Sequence, residues 1–172
     1  MSVVKDPDNG REQWLISLMT KHETSVLRMC CAYLQDMHLA QDAAQETFLK
    51  AYAKWDVFRG DCEEKTWLMR IAINTCKDIR RGAWFRCVER RVTPQDLPEP
   101  AVPLCAAQDE LSDDILRLPR KYLEVVLLYY YQNMTTREVA LALELPQSTV
   151  ISRLKRARDK LRIMLTGGGT DA

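Results

Sequence analysis

Residues Thr135 to Arg162 read TTREVALALELPQSTVISRLKRARDKLR, and this stretch decides the fold of the last third of the chain. Thr135 and Glu138 stand three positions apart, which is the spacing of a capping box at the start of a helix. Leu145 and Pro146 interrupt the apolar pattern, and Pro146 suits the first turn of a following helix. The sequence therefore predicts two short helices joined by a tight turn.

The second of these helices has two chemically different sides. Its apolar positions recur at helical spacing and form one stripe: Val150, Leu154, Ala157 and Leu161. The opposite side is polar and basic, so one side is suited to packing and the other to an anionic partner. Such a pair of helices is typical of a helix-turn-helix whose second helix enters the DNA major groove. Basic amphipathic helices are also common as plain solvated surfaces, so the rest of the chain must decide between the two interpretations.

The charge of the chain is segregated along its length. The 172 residues carry a net charge of only +1, with 47% hydrophobic and 28% charged residues, which indicates a soluble globular protein. Residues 70–91 and 148–165 are strongly basic, whereas residues 92–116 contain six acidic residues and no Lys or Arg. Two basic blocks separated by an acidic stretch predict two separate contacts with nucleic acid.

Several classes of function find no support in the sequence. The six cysteines form no C-x-x-C pair and the two histidines, His22 and His38, both lie in the first quarter, so we predict no metal site. Neither a Gly-rich phosphate loop nor a nucleophile-base pair indicates an enzyme, and we predict no cofactor. The start of the chain is polar and no apolar run could span a membrane, which predicts a cytoplasmic protein.

The remaining periodicity predicts an all-α protein made of two small helical domains. Helices are expected from Trp14 to Leu34 with a kink near His22, from Leu39 to Trp55, and from about Glu64 to Gly82. Four prolines between residues 93 and 107 exclude a continuous helix and favour an extended chain. The expected organisation is a disordered N-terminus at 1–12, a first domain at 13–91, a flexible Pro-rich acidic linker at 92–107, a second domain at 108–165 and a flexible tail at 166–172.

An ordered set of motifs then carries a family resemblance. The set is DAAQETFLKAY at 42–52, FRGD at 58–61, TWLMRIAIN at 66–74, LPRKYLEVV at 118–126, and the helix-turn-helix. Over roughly residues 14–165 the chain resembles the extracytoplasmic-function (ECF) sigma factors, the compact group IV branch of bacterial RNA polymerase sigma factors. The resemblance implies that the first domain is sigma region 2 and the second is sigma region 4.

The resemblance also implies roles for individual residues. The helix that docks on the clamp helices of core RNA polymerase would use Asp42, Gln45, Glu46 and Phe48. The element that opens and recognises minus-10 promoter DNA would use Arg59, Asp61, Cys62, Thr66, Trp67, Asn74, Lys77, Arg80 and Arg81, although Trp67 also fits a purely structural place in the core. The minus-35 recognition helix would use Thr149, Ile151, Ser152, Arg153, Lys155, Arg156 and Arg158. Some family members carry Arg where this chain has Ile151, which removes a possible guanine contact and leaves room for a thymine methyl group.

The resemblance further implies partners. The family acts with core RNA polymerase on promoter DNA, and it is usually controlled by an anti-sigma factor that is often bound to the membrane. One alternative from another class is a stand-alone helix-turn-helix regulator, which should bind duplex DNA unaided as a symmetric dimer. Another is an interaction protein whose basic faces meet an acidic partner, with salt-dependent binding to any polyanion.

Overall fold

The computed structural model describes residues 7–89 and 113–167, and every regular element within those ranges is helical. The α-helices are α1 (Pro7–Leu34), α2 (Met37–Ala53), α3 (Glu64–Glu89), α4 (Asp113–Leu116), α5 (Arg120–Val126), α6 (Thr136–Leu143) and α7 (Gln147–Gly167). A 3₁₀ turn spans Trp55–Val57, and a π-helical turn at Leu127–Tyr131 continues α5. This architecture confirms the predicted all-α fold.

The first three helices pack on one another and form the N-terminal domain. Asp36 separates α1 from α2 and accepts a hydrogen bond from the Leu39 N–H at 2.9 Å, which caps α2 as the sequence suggests. The side chains at the centre of the three helices are wholly buried, among them Val26, Ala43 and Leu68. This packing gives α2 and α3 fixed positions from which their outer faces can act.

The start of α1 differs from the expectation of a disordered segment at 1–12. The helix begins at Pro7, and it continues without a break past His22. Arg11 explains the early start, because its Nε donates to the Tyr52 carbonyl at 3.0 Å and its guanidinium lies 4.1 Å from the centre of the Tyr52 ring. Residues 1–6 lie outside the described residues, as do the whole of the predicted linker 92–107 and residues 168–172 of the predicted tail.

The connection between α2 and α3 is held by an aromatic cluster. Trp67 packs against Phe58 with ring centres 5.0 Å apart, and Trp14 lies 5.7 Å from Trp55 and 6.0 Å from Trp67. Gly60 lies in the loop between them with φ of 77°, a conformation that glycine adopts without strain. The cluster therefore anchors both ends of a loop whose tip is exposed.

The helices α4 to α7 form the C-terminal domain and contain the predicted helix-turn-helix. The capping box at α6 is complete, since the Thr135 N–H donates to Glu138 at 2.7 Å and the Glu138 N–H donates to Thr135 Oγ1 at 3.3 Å. Glu144 ends α6 in the left-handed region with φ of 55°, and the chain turns into α7. Gln147 donates across the turn to Thr136 Oγ1 at 2.8 Å, which helps to set the angle between the two helices.

The two domains pack against each other, mainly through α3 and α6. Lys65 Nζ donates to the Gln132 carbonyl at 2.6 Å, and Arg70 donates twice to the Leu141 carbonyl at 3.0 and 2.7 Å. Gln132 in turn donates to the Ser25 carbonyl at 3.2 Å. We call this contact the interdomain junction. It was not predicted from the sequence, which suggested only two domains on a flexible connection.

Within residues 7–89 and 113–167, every helix is too short or too polar to span a lipid bilayer.

Candidate nucleic-acid interface

The outer face of α7 is the better defined of the two basic surfaces. Val150, Leu154 and Ala157 are buried against the rest of the C-terminal domain, which fixes the rotation of the helix. That rotation leaves Lys155 and Arg156 exposed. This surface can offer cations to phosphates and side-chain donors to base edges, which is what a recognition helix requires.

The other predicted residues of α7 differ in how freely they can reach a ligand. Ile151 is 51% exposed, so an apolar side chain stands on the outer face among polar neighbours. Ser152 is exposed and donates to the Thr149 carbonyl at 3.0 Å, so its hydroxyl can still accept a hydrogen bond. Arg158 Nε donates to the Leu154 carbonyl at 3.3 Å, and Arg153 and Thr149 are half-buried.

The second basic surface follows one face of α3. Asn74, Arg80 and Arg81 are exposed, and Lys77 is half-buried. These positions recur every three or four residues, so they lie close to one another along the helix. Lys77 forms an ion pair with Glu124 of the C-terminal domain at 3.2 Å. One predicted DNA contact is therefore occupied by the interdomain junction in this arrangement.

The loop before α3 divides the predicted minus-10 residues into two groups. Arg59 and Asp61 are exposed at the loop tip and Cys62 is half-buried, so all three can meet a ligand. Thr66 and Trp67 are 1% and 8% exposed, because both face the interior of the domain. Trp67 therefore packs in the core, as one of its two predicted roles requires. Neither Thr66 nor Trp67 lies on a surface that DNA could reach in this arrangement.

The predicted polymerase face of α2 borders an apolar groove. The cavity between α1 and α2 has a volume of about 450 Å³, and its walls include Leu27, Gln45, Phe48 and Leu49. Phe48 is only 5% exposed, so it forms part of the groove wall, whereas Leu49 is 60% exposed. Asp42 is exposed beside it. The face thus combines an apolar depression with polar groups at its edge.

Glu46 has a local partner on the same helix. It forms an ion pair with Lys50 at 2.8 Å, and Lys50 also approaches Asp78 of α3 at 3.7 Å. The carboxylate is half-exposed, so a cationic partner could compete with Lys50 for it. An exposed pair of this kind contributes little to stability, which leaves the carboxylate available for binding.

Sequence reasoning missed the residues that join the domains. Glu124 is 6% exposed; it accepts a hydrogen bond from the Tyr33 hydroxyl at 3.2 Å and forms an ion pair with Lys77 at 3.2 Å. Burial, followed by the charge of Glu124, raises the pKa of Tyr33 to about 12. Arg120 donates to the Tyr33 carbonyl and stacks over the Tyr33 ring. The sequence does contain an indication of this contact. Glu124 lies inside the apolar run Tyr122–Leu128, where a carboxylate is expected to be buried and to need a polar partner.

Comparison with known proteins agrees with this geometry. The descriptions "Sigma-70 region 2" and "Sigma-70, region 4" match residues 18–86 and 109–161 respectively. The ECF RNA polymerase sigma factor SigL of Mycobacterium tuberculosis is 32% identical over 155 residues, covering 87% of each chain. This chain belongs to the ECF sigma factor family. A second relative, the RNA polymerase sigma-H factor of Pseudomonas aeruginosa, is 31% identical over 173 residues, covering 92% of this chain and 90% of that protein.

Two solved structures share the fold of this ECF sigma factor. One is CnrH in complex with the cytosolic domain of CnrY, with a TM-score of 0.69, 24% identity, and coverage of 91% of this chain and 90% of that one. The other is the sigma factor RpoE of Bartonella quintana in complex with the anti-sigma factor NepR, with a TM-score of 0.66, 20% identity, and coverage of 90% and 96%. In both comparisons the alignment extends over both domains.

Proposed function

We propose that this ECF sigma factor binds core RNA polymerase through α2 and recognises two promoter elements with the outer faces of α3 and α7. The observation that supports this most strongly is the presence of two basic faces on two separately packed domains. A regulator that binds one duplex site needs only one basic face on each subunit. A protein that recognises two promoter elements at once needs two basic faces on the same chain. The domain limits 13–91 and 108–165, with a linker at 92–107, belong to this proposal.

The minus-35 contact is assigned to α7. Lys155 and Arg156 are the candidates for base edges, because they are exposed on the face opposite the packed stripe. The exposed Ile151 would meet a thymine methyl group, and Ser152 would accept or donate at a base edge. Thr149, Arg153 and Arg158 would approach phosphates.

The minus-10 contact is assigned to the loop tip and the outer face of α3. Arg59, Asp61 and Cys62 would meet single-stranded bases, and Asn74, Lys77, Arg80 and Arg81 would hold the backbone. Lys77 must leave Glu124 to take part. Promoter binding would therefore favour separation of the two domains. Thr66 and Trp67 support this surface from beneath and do not contact DNA in this assignment.

The polymerase contact is assigned to the outer face of α2, where Gln45 and Phe48 line the groove and Asp42 and Glu46 are further polar groups on the same helix. Carboxylates beside an apolar depression suit a basic helical partner with an apolar side chain at its centre. The protein would have no catalytic activity of its own and would act in the cytoplasm, where polymerase and the chromosome are found. An anti-sigma factor would control it, as NepR is bound to the RpoE relative, and could hold it near the membrane.

Run-off transcription on genomic fragments, with core polymerase alone and with the added chain, tests this proposal. The chain should produce new discrete transcripts, and Glu46→Ala or Arg156→Ala should abolish them. Glu12→Ala and Arg117→Ala remove the same charges at exposed positions away from both surfaces and should keep the transcripts. Without new transcripts, and with tight sequence-specific duplex binding by the chain alone, a stand-alone regulator would be the better description.

A further inference from the structure

A pocket between the two domains collects positive charge. It has a volume of about 400 Å³, and its walls are formed by Tyr33, Lys77, Arg80, Arg81 and Arg120. Four of these five residues are cationic. Arg120 belongs to the C-terminal domain and the other four belong to the N-terminal domain, so the pocket exists only when the domains are packed together. We call it the arginine pocket.

Within residues 9–83 and 113–167, few carboxylates lie close enough to balance the charge of the arginine pocket. Glu124 contacts the wall at Lys77 and also accepts the hydrogen bond from Tyr33, so its carboxylate is already engaged. Among residues 9–83 and 113–167, no carboxylate forms an ion pair with Arg80 or Arg81. Like charges held close together in a partly buried space are unfavourable unless an anion lies between them.

The lowered pKa of Arg120 agrees with this shortage of negative charge at the arginine pocket. Burial lowers the pKa of the Arg120 guanidinium, and the nearby charge of Arg80 lowers it further. Its donation to the Tyr33 carbonyl satisfies one of its N–H groups and leaves others for a ligand. Domain packing thus brings a fourth cation to three that are already close together, instead of separating them.

We propose that the arginine pocket binds a phosphate-class anion that links the two domains. Guanidinium groups match phosphate oxygens in bidentate geometry, and the volume is in the range that holds a small ligand. The anion would neutralise Arg80 and Arg81 from one side and Arg120 from the other. It would therefore stabilise the packed arrangement. This inference does not depend on the proposed promoter function, because it rests on the pocket alone.

Isothermal titration of the full chain with pyrophosphate tests the proposal, with sodium chloride adjusted to constant ionic strength. Arg120→Gln and Arg81→Gln should each weaken binding by about tenfold or more, since each removes a charge-assisted contact. Arg81→Gln is needed because Arg81 has no bond in the interdomain junction, so its loss should leave the packing intact. Lys121→Gln is the matched control, because this exposed residue follows Arg120 and lies outside the pocket; it should bind as the unaltered chain does.

A second titration with a short single-stranded oligonucleotide identifies the source of the phosphate. If small phosphate compounds are the ligand, Arg120→Gln should weaken pyrophosphate binding and leave oligonucleotide binding unchanged. If a DNA phosphate occupies the pocket, Arg120→Gln should weaken both. Pyrophosphate binding that is absent, or that falls equally in Arg120→Gln and Lys121→Gln, would overturn the proposal.

Discussion

The contacts inside each domain are mainly apolar, whereas those between the domains add hydrogen bonds and ion pairs to an apolar core that continues from one domain into the other. Within the N-terminal domain, α1, α2 and α3 meet through wholly buried apolar side chains such as Val26 and Leu68. Across the interdomain junction, charged, amide and tyrosine side chains also form hydrogen bonds and ion pairs, many of them to backbone carbonyls, as Lys65 and Arg70 do. Apolar burial favours folding of each domain, whereas polar contacts can be exchanged for water or for another ligand at little net cost.

This difference agrees with the proposed function, in which the domains separate without unfolding. Lys77 is held by Glu124 in the packed arrangement, and the proposed function requires it at DNA. The hydrogen bonds and ion pairs of the junction allow that exchange, while apolar burial keeps α3 and α7 intact. The following predictions test whether the two kinds of contact behave differently.

The largest effect is expected inside a domain. Leu68 is wholly buried, so Leu68→Ala should lower the free energy of unfolding by about 2–5 kcal/mol, through lost burial and the cavity left behind. Urea unfolding followed by circular dichroism measures it. Ile16 is 63% exposed, and Ile16→Ala should change stability by no more than about 0.5 kcal/mol. Similar effects at the two positions would show that the core is not where the structure places it.

A change at the junction should affect coupling between the domains more than their folding. Glu124→Ala leaves the Tyr33 hydroxyl and Lys77 without their shared acceptor, which should weaken the packed arrangement by about 1–3 kcal/mol. Calorimetry should then show two separate transitions where the unaltered chain shows one. Lys121→Ala, on the same helix but exposed, should keep the single transition. An unchanged single transition in Glu124→Ala would contradict the role given to this residue.

The capping box should contribute a smaller amount, confined to the C-terminal domain. Thr135→Ala removes the acceptor for the Glu138 N–H and should destabilise that domain by about 1 kcal/mol. Amide hydrogen exchange in α6 should rise while exchange in α2 stays constant. Thr20→Ala removes an exposed hydroxyl from α1 and serves as the control. Exchange that rises equally in α2 and α6 of Thr135→Ala would mean that α6 opens only when the whole chain unfolds, and would contradict a local role of the capping box.

The capping box of Thr135 and Glu138 also predicts that the stability of the C-terminal domain depends weakly on pH in the acid range. Hydrogen bonds from Thr135 hold the pKa of Glu138 below its ordinary value of 4.5. Because the pKa is lowered on folding, the stabilisation is present above about pH 4.5 and is lost as the pH falls through the lower folded value. Glu138→Gln should flatten the dependence of C-terminal stability on pH in this acid range. If stability depends on pH just as steeply in Glu138→Gln, other carboxylates cause the dependence and this prediction is wrong.

The smallest expected effect is the late ionisation of Tyr33 at the interdomain junction, which can be followed by absorbance. The pKa of Tyr33 is raised from 10.0 to about 12, so its contribution to packing is present below pH 10 and is lost as the pH rises toward 12. Tyrosinate absorbance during an alkaline titration should show one of the six tyrosines ionising late. Tyr33→Phe should remove that late step, and Tyr130→Phe, at an exposed position, should not.

The sequence predicted the features that rest on local rules. Helical spacing located the stripe of α7, and the Thr135–Glu138 spacing located the start of α6, because both depend on neighbouring residues. The predicted residues 151, 152, 155 and 156 all lie on the exposed face of α7 for the same reason. The π-helical turn at Leu127–Tyr131 was not predicted, since nothing in that apolar run distinguishes it from ordinary helix.

The interdomain junction could not be predicted because it depends on residues far apart in the chain. Lys65 and Arg70 resemble solvated helix residues, and their acceptors are backbone carbonyls, which leave no mark in the sequence. The early start of α1 was missed for a similar reason, because Arg11 is held by the carbonyl of Tyr52. Glu124 was the one visible signal, but its partners could not be named from spacing.

Small-angle X-ray scattering of the free chain tests the central claim most directly, namely that the hydrogen bonds and ion pairs of the interdomain junction are needed to keep the two domains packed together. A compact chain of 172 residues should have a radius of gyration near 16 Å. We expect a value close to this for the unaltered chain and a clear increase for Lys65→Ala combined with Arg70→Ala and Glu124→Ala, with helix content unchanged. An expanded unaltered chain, or a triple variant that stays equally compact, would contradict the account.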